Sequence, residues 1–279
     1  RHSGNDYRKT RFRDALLTSI ISEENIDIQK STPSHLFVNS EYWGVYNIRE
    51  KINEHYIKNN YQIKTEDLDM LQGNKVTEYG SKSTYVNMIK YIKKNNMRDS
   101  IHFQKVSKKM DIRNFVNFWI FQMFVANSDS RGNIRYWRSG LLDNKFRWIV
   151  YDTDLGFFSS KAKVNFIEDF TAYYSTKWYN PSWATFLLRN LLKNKKFEDE
   201  FVNQSLWLLS NRLSSKQLLE RIDSFKNSYS EEMKIHFEKR KKFQRNQKNY
   251  EYWEEQVDDM KYFARKRPKY FLKNLKKKF

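Results

Sequence analysis

One stretch of the chain, residues 115–125 (FVNFWIFQMFV), is apolar almost all round when it is arranged as a helix. A helix without a polar face belongs in a protein core, and this run is too short to span a bilayer. The pattern therefore predicts a buried helix that ends where the polar residues 127–133 (NSDSRGN) begin.

Two β-prone runs, residues 35–38 and 42–48, predict a first hairpin. They are rich in aromatic and β-branched side chains, and they flank Asn39 and Ser40, which favour turns. Glu50 follows the second strand of this hairpin.

A second hairpin is predicted by residues 134–137 and 146–150, which flank the turn residues Asp143 and Asn144. A hairpin returns the chain to the level at which it started. We therefore expect Asp152, just beyond the second strand, to lie near Asp129, just before the first.

Helical periodicity covers residues 53–61 and 83–95. In the second segment one side carries apolar residues at helical spacing, namely Tyr85, Met88, Ile89 and Ile92. Residues 65–82, between these helices, show no sustained pattern and are predicted to be mostly connecting sequence.

The last third is predicted to be helical. Asn180-Pro181 resembles a helix cap followed by a first-turn proline, and Ser214 with Gln217 has the spacing of a capping box. Between them, apolar residues recur at helical spacing: Phe186, Leu187, Leu191, Leu192, Phe197 and Phe201. The elements together predict an α+β fold with two hairpins packed on helices.

Composition sets the outer bounds. With 279 residues, 39% of them hydrophobic, the chain can bury one large core, or one core with a helical appendage. The net charge of +19 favours anionic partners such as nucleotides, acidic proteins or nucleic acid, although a merely solvated basic surface is equally compatible with it. The chain has no cysteine, and its five histidines are dispersed, which argues against thiol chemistry and a zinc centre.

The candidate chemistry lies around the second hairpin. The order of elements matches the one that protein kinases use for the catalytic loop and the magnesium-binding loop. A helix comes first, followed by a loop with Asp129 and Asn133, a hairpin, and then Asp152 and Asp154. Phosphoryl transfer needs one carboxylate for the attacking hydroxyl, which suits Asp129. It needs another carboxylate, with an amide oxygen, for the metal ions, which suits Asp152 and Asn133.

Local spacing alone leaves a plainer interpretation open. Asp129 would then form only an Asx turn at a helix end, and Asp152 and Asp154 would occupy an ordinary turn after a strand.

The whole set of motifs resembles the spore coat protein H (CotH) kinase-like proteins, a family of atypical protein kinases. The resemblance rests on motifs spread over nearly the whole chain: Arg1-His2-Ser3-Gly4-Asn5-Asp6, Phe12-Arg13-Asp14, Asn39-Ser40-Glu41-Tyr42-Trp43-Gly44-Val45-Tyr46 with Glu50, Asn127-x-Asp129 with Asn133, Tyr136-Trp137-Arg138, and Asp152-x-Asp154-Leu155-Gly156-Phe157.

The resemblance implies a kinase-like catalytic core over residues 1–180, with a helical subdomain over residues 181–279 packed on it. It implies phosphorylation of protein Ser or Thr residues with ATP and Mg²⁺ or Mn²⁺. Asp129 is then the catalytic residue, Asp152 the metal ligand with help from Asn133 and Asp154, and Asn133 and Glu50 the nucleotide-side residues. The family suggests spore coat proteins as the acceptors and the spore surface as the location.

Departures from the family pattern are limited. His2 and Ser40 replace the usual Asn and Gly, Val150-Tyr151 replaces Pro-Trp, and Phe158 replaces a Gly. The chain opens in the middle of a motif, so we expect a fragment or processed form whose N-terminal lobe lacks the family's Gly-rich and Lys-containing segments. Weak nucleotide binding or inactivity would follow.

Rival functions come from other classes. Asp152-x-Asp154 is also the DxD with which many glycosyltransferases hold manganese and a nucleotide sugar, although the paired Asn127 and Asp129 argue against that class. A metal-dependent nuclease would suit the net charge of +19 and the clustered acids. It would normally need another acid or Lys close to Asp152, however, and none is evident in the sequence. A structural coat or surface protein with the same fold and no phosphotransfer is the non-catalytic alternative.

Overall fold

The computed structural model describes residues 3–240 and 249–279 of the chain. Arg1 and His2, which open the first of the matched motifs, lie outside the described residues. Within the described ranges, no helix is both long enough and apolar enough to cross a membrane.

The fold is α+β, as predicted. Its helices are α1 (Arg13–Ile21), α2 (Glu54–Tyr61), α3 (Ser83–Lys94), α4 (Ser100–Ser107), α5 (Ile112–Phe124), α6 (Phe166–Thr171), α7 (Phe186–Leu191), α8 (Lys195–Asn211), α9 (Ser215–Arg240) and α10 (Tyr250–Lys278). Its strands are β1 (Asp27–Ile28), β2 (Ser31–Val38), β3 (Glu41–Arg49), β4 (Leu68–Gln72), β5 (Val76–Tyr79), β6 (Arg135–Ser139) and β7 (Arg147–Val150).

The strands form a five-stranded sheet in the order β1-β7-β6-β4-β5 and a separate hairpin of β2 with β3. Both predicted hairpins are confirmed. In the first, Asn39 and Ser40 have φ of 49° and 65°, the left-handed pair that a two-residue type I′ turn requires. In the second, β6 and β7 pair antiparallel, with Arg135 opposite Ile149.

Residues 65–82 correct the sequence-based expectation, because they contain β4 and β5 rather than mostly connecting chain. Strand β4 lies between β5 and β6 in the sheet. The apolar pattern is interrupted by Asp69, which is 4% exposed and accepts hydrogen bonds from Arg138 Nε and the Ser81 backbone N–H, both at 2.7 Å. The partner strand that stabilises β4 is remote in sequence, so local periodicity could not show it.

The predicted start of a helix at Asn180-Pro181 is also wrong. Helix α7 begins at Phe186, and the Asn180 side chain instead accepts a hydrogen bond from the Thr185 hydroxyl at 2.5 Å. The apolar run beyond it divides into two helices at Asn194, whose side chain caps α8 by accepting from the Lys196 N–H at 3.1 Å. The first half of the capping box is confirmed, since Ser214 Oγ accepts from the Gln217 N–H at 3.3 Å. The Gln217 side chain does not complete it, because its Oε1 accepts from the Ser214 hydroxyl at 2.9 Å and its amide donates to the Asn211 carbonyl at 2.7 Å.

Helix α5 lies at the centre of the main hydrophobic cluster, and all its residues from 114 to 124 are buried. It packs against β7, α6, α8 and α10. The buried apolar helix predicted over residues 115–125 is therefore confirmed. Its burial fixes the point at which the polar loop after it begins.

The C-terminal end of α5 is held by Arg267, a fully buried residue of α10. Its guanidinium donates to the carbonyls of Met123 at 2.6 Å and Phe124 at 2.8 Å, and to those of Ala162 and Val164 at 3.3 and 2.6 Å. Burial lowers the pKa of Arg267 to about 9, so the side chain is still charged at neutral pH. A cation is favourable at a helix C-terminus, where free carbonyls and the helix dipole concentrate negative charge.

Replacing this residue should therefore destabilise the fold. We expect Arg267→Met to lower the free energy of unfolding by about 3 kcal/mol or more, because four buried carbonyl contacts are lost together. The matched control is Arg265→Met on an exposed position of the same helix, expected to change stability by less than about 0.5 kcal/mol. Urea unfolding followed by tryptophan fluorescence measures both, and equal losses would contradict the role of Arg267.

Candidate active site

The loop after α5 is shaped by Asn127 and not by Asp129. Ala126 has φ of 55° and ends the helix, and the Asn127 side chain accepts from the Asp129 N–H at 3.0 Å in an Asx turn. Asn127 is fully buried and its amide donates to Gln122 Oε1 at 2.9 Å. The Asp129 carboxylate makes no capping bond to the backbone N–H groups that follow it, so it is left for contacts outside the turn.

The second loop, after β7, approaches the first through Asn133. The Nδ2 of Asn133 lies 3.3 Å from Asp129 Oδ2 and 3.2 Å from the backbone oxygen of Asp152. It also lies 3.2 Å from the Asp129 backbone oxygen. One buried amide therefore joins the two loops. Because its nitrogen is engaged with them, the Oδ1 of Asn133 is the atom of this side chain that suits a cation.

Asp152 has φ of 52°, in the left-handed region. Asp and Asn are the residues that tolerate this region best after Gly. Backbone strain of this kind persists where the surrounding structure imposes it, and it is concentrated at functional sites. The side chain of Asp152 is half-buried, whereas that of Asp154, two residues on, is buried.

Asp154 is held by Asn5 from the N-terminal segment. Its Oδ2 accepts from the Asn5 N–H at 2.7 Å and its Oδ1 from the Asn5 amide at 3.2 Å. Burial, together with the charges of Asp152 and Asp14, raises the pKa of Asp154 to about 6, against the lowering effect of the Asn5 hydrogen bonds. The loop therefore carries clustered negative charge that is poorly solvated, and such a cluster favours a cation.

Two residues of the N-terminal helix α1 also hold the loop that follows β7. Both belong to the motif Phe12-Arg13-Asp14, for which the sequence predicts no role. Asp14 accepts from both the N–H and the hydroxyl of Thr153, and it pairs with Arg49 at the end of β3. Arg13 donates to the carbonyls of Gly156 and Phe157 at 3.2 and 2.9 Å. Both α1 residues are buried. Charged residues at consecutive positions of an otherwise apolar helix are the signal that could have identified them.

Two more side chains reach the Asp129 loop. Trp178 donates from Nε1 to Asp129 Oδ1 at 3.4 Å. Lys161 donates from Nζ to the Ser128 hydroxyl at 2.5 Å and to the Leu155 carbonyl at 3.1 Å, so it connects the two loops. Burial is the main cause that lowers the pKa of Lys161. Neither residue belongs to a motif that the sequence suggested.

Glu50 lies at the end of β3, and its carboxylate accepts from the Lys30 N–H at 2.9 Å and from the Asn60 amide at 3.5 Å. These contacts hold the β1–β2 connection and α2. The contacts described for Glu50 do not join it to Asp129 or Asp152, so it stands apart from the other predicted site residues.

The described residues contain no group of three or more His, Asp and Glu side chains arranged to hold a metal by themselves. Magnesium does not require such a group, because it is commonly bound by one or two carboxylates together with substrate phosphates. The Asp152 carboxylate and the Asn133 amide oxygen fit that kind of site. The raised pKa of Asp154 indicates poorly solvated negative charge in the same loop, which a cation would stabilise.

The family model described as CotH kinase protein matches residues 1–271 of the chain. The match covers the N-terminal segment, both candidate loops and most of α10, and it confirms the resemblance drawn from the motifs. Among curated proteins, no match is found.

The raised pKa of Asp154 predicts a pH-dependent cost. Because the folded state holds this proton more tightly than the unfolded state, stability from the group is present below about pH 4 and is lost as the pH rises through about 6. Without divalent cations, Asp154→Asn should therefore raise the free energy of unfolding at pH 8 by about 1–3 kcal/mol, with a smaller gain at pH 5. Urea titrations at the two pH values measure this, and a gain independent of pH would show that Asp154 does not titrate as described.

Proposed function

Since this chain belongs to the CotH kinase protein family, we propose that it is an ATP-dependent kinase that phosphorylates serine or threonine hydroxyls of a protein. The observation that carries the proposal is the contact of one Asn133 amide with the Asp129 carboxylate and the Asp152 backbone. This contact joins two loops that are separate in sequence, which supports the proposal that Asp129 serves the hydroxyl and Asp152 a cation.

The proposed mechanism gives Asp129 the acceptor hydroxyl. As the hydroxyl oxygen forms its bond to the γ-phosphorus, Asp129 accepts the hydroxyl proton, the bond from that phosphorus to the β,γ-bridging oxygen breaks, and ADP leaves. The Asn127 turn and the Asn133 amide keep the Asp129 side chain in one orientation. Positioning of this kind is a large part of catalysis in phosphoryl transfer.

Asp152 is the proposed principal ligand of Mg²⁺ or Mn²⁺, with Asn133 Oδ1 beside it. The ion would neutralise phosphate oxygens as charge develops on them. Asp154 has both oxygens engaged by Asn5, so we assign it a supporting role through its charge. Glu50 remains a proposed nucleotide-side residue, which acts by holding the Lys30 backbone at the end of the β2–β3 hairpin.

The glycosyltransferase alternative receives less support from this geometry. A DxD site engages its metal through the carboxylates of the motif, whereas the second carboxylate here faces Asn5. A non-catalytic role with the same fold would not by itself require Asn133 to join the Asp129 carboxylate to the Asp152 loop.

A phosphotransfer assay with labelled ATP, Mg²⁺ and a Ser-containing acceptor protein tests the proposal. Asp129→Asn should lower kcat by about 10²–10⁴-fold, because the proton acceptor is lost, while nucleotide binding stays close to that of the parent. Asp152→Asn should weaken metal-dependent nucleotide binding as well. Asn is the right substitution at position 152, since it tolerates the left-handed backbone there.

The matched control is Asp258→Asn, an exposed aspartate of α10 outside both loops, which should leave turnover and binding unchanged. Equal label incorporation by the parent and by the Asp129 and Asp152 variants would end the kinase assignment.

A further inference from the structure

A cavity of about 890 Å³ lies between α3, the β4–β5 turn and the segment before α7. Five basic side chains line it, and we call it the basic groove: Lys75, Lys93, Lys94, Arg189 and Lys193. Its volume lies within the range of specific ligand sites. No acidic side chain is among its lining residues.

The positive charge of the basic groove is not compensated by ion pairs. Among the described residues, none of its five basic side chains has a carboxylate within salt-bridge distance. Lys193 donates to the Asn190 amide oxygen at 2.9 Å, and Arg189 donates to the Ser182 carbonyl at 2.9 Å. Neutral acceptors leave the net charge in place. Clefts lined by one sign of charge attract and orient ligands of the other sign.

Aromatic residues complete the lining. Tyr173 and Tyr174 are 69% and 87% exposed at the groove, and Trp183 lies further along the same segment. Burying exposed aromatic surface is favourable, and Tyr, Trp and Arg are the residues that contribute most at protein interfaces. The basic groove therefore combines charge with apolar surface that a partner could cover.

The basic groove adjoins the candidate active site through this segment. Between Tyr174 and Trp183 in sequence lies Trp178, whose ring nitrogen contacts Asp129 Oδ1 at 3.4 Å. The Arg131 guanidinium covers the Trp178 ring at 4.1 Å. On the other side, Ile134 lines the groove directly after Asn133. A chain seated in the groove would thus run toward the proposed proton acceptor.

We propose that the basic groove binds an acidic segment of the protein acceptor and delivers its hydroxyl to Asp129. The acceptor role rests on the proposed function; the preference for an acidic peptide rests on the charge and the aromatic lining. Single-stranded nucleic acid is less well suited, because the basic groove leads to a residue that would act on a protein hydroxyl.

The test measures binding without nucleotide, so that it is independent of catalysis. The probe is a short fluorescein-labelled peptide rich in Glu with one Tyr and one Ser, and its partner carries Lys in place of every Glu. Fluorescence anisotropy at physiological salt gives the two Kd values. The groove variant is Lys93→Glu with Lys193→Glu. The matched control is Lys90→Glu with Lys196→Glu, two exposed lysines close in sequence that do not line the groove.

We expect the parent to bind the acidic peptide at least about tenfold more tightly than the basic one. The groove variant should lose about tenfold or more, because two attractive charges become repulsive, and the control variant should lose less than about twofold. Equal losses in both variants would mean that only net charge matters and would overturn the proposal. So would tighter, groove-dependent binding of an oligothymidine of the same charge. Absence of phosphotransfer with this preference intact would count against the proposed kinase function alone.

Discussion

The contact of the Asn133 amide with Asp129 and Asp152 is the interaction on which the candidate site depends. Asp129 follows a helix and precedes a short 3₁₀ helix, Ser130–Asn133, whereas Asp152 follows a strand. The buried nitrogen of Asn133 lies within 3.3 Å of an oxygen of each residue. Loss of that amide would remove the hydrogen bonds through which residue 133 joins the two loops.

The elements around this contact are arranged to make it rigid. Helix α5 is buried on all sides, and Arg267 holds its end. The β6–β7 hairpin sets the return of the chain, and α1 holds the second loop through Asp14 and Arg13. This arrangement costs folding free energy, because burial and the neighbouring carboxylates raise the pKa of Asp154. A divalent cation bound at Asp152 would offset that cost, so the electrostatics that raise the pKa of Asp154 would favour the proposed metal.

The sequence was informative where a short-range pattern decides the structure. The all-apolar helix, the Asn39-Ser40 turn and the hairpin between Asp129 and Asp152 could be predicted because each depends on neighbouring residues. Strand β4 could not be, because Asp69 breaks its pattern and its stabilising partner, Arg138, lies on β6. The supporting roles of Asn5, Asp14, Lys161 and Trp178 depend on long-range packing, and no local spacing shows them. The motif around Asp14 matched the family pattern, but only the fold shows that it anchors Thr153.

The most direct test of the account is whether metal and nucleotide bind together at Asp152. Electron paramagnetic resonance of Mn²⁺, titrated with and without a non-hydrolysable ATP analogue, measures this. We expect each ligand to tighten the binding of the other by the same factor, as linked binding requires, and that factor to be at least about tenfold. Asp152→Asn should abolish the effect. Nucleotide binding that is equally tight without the cation, or a linkage that survives in Asp152→Asn, would contradict it.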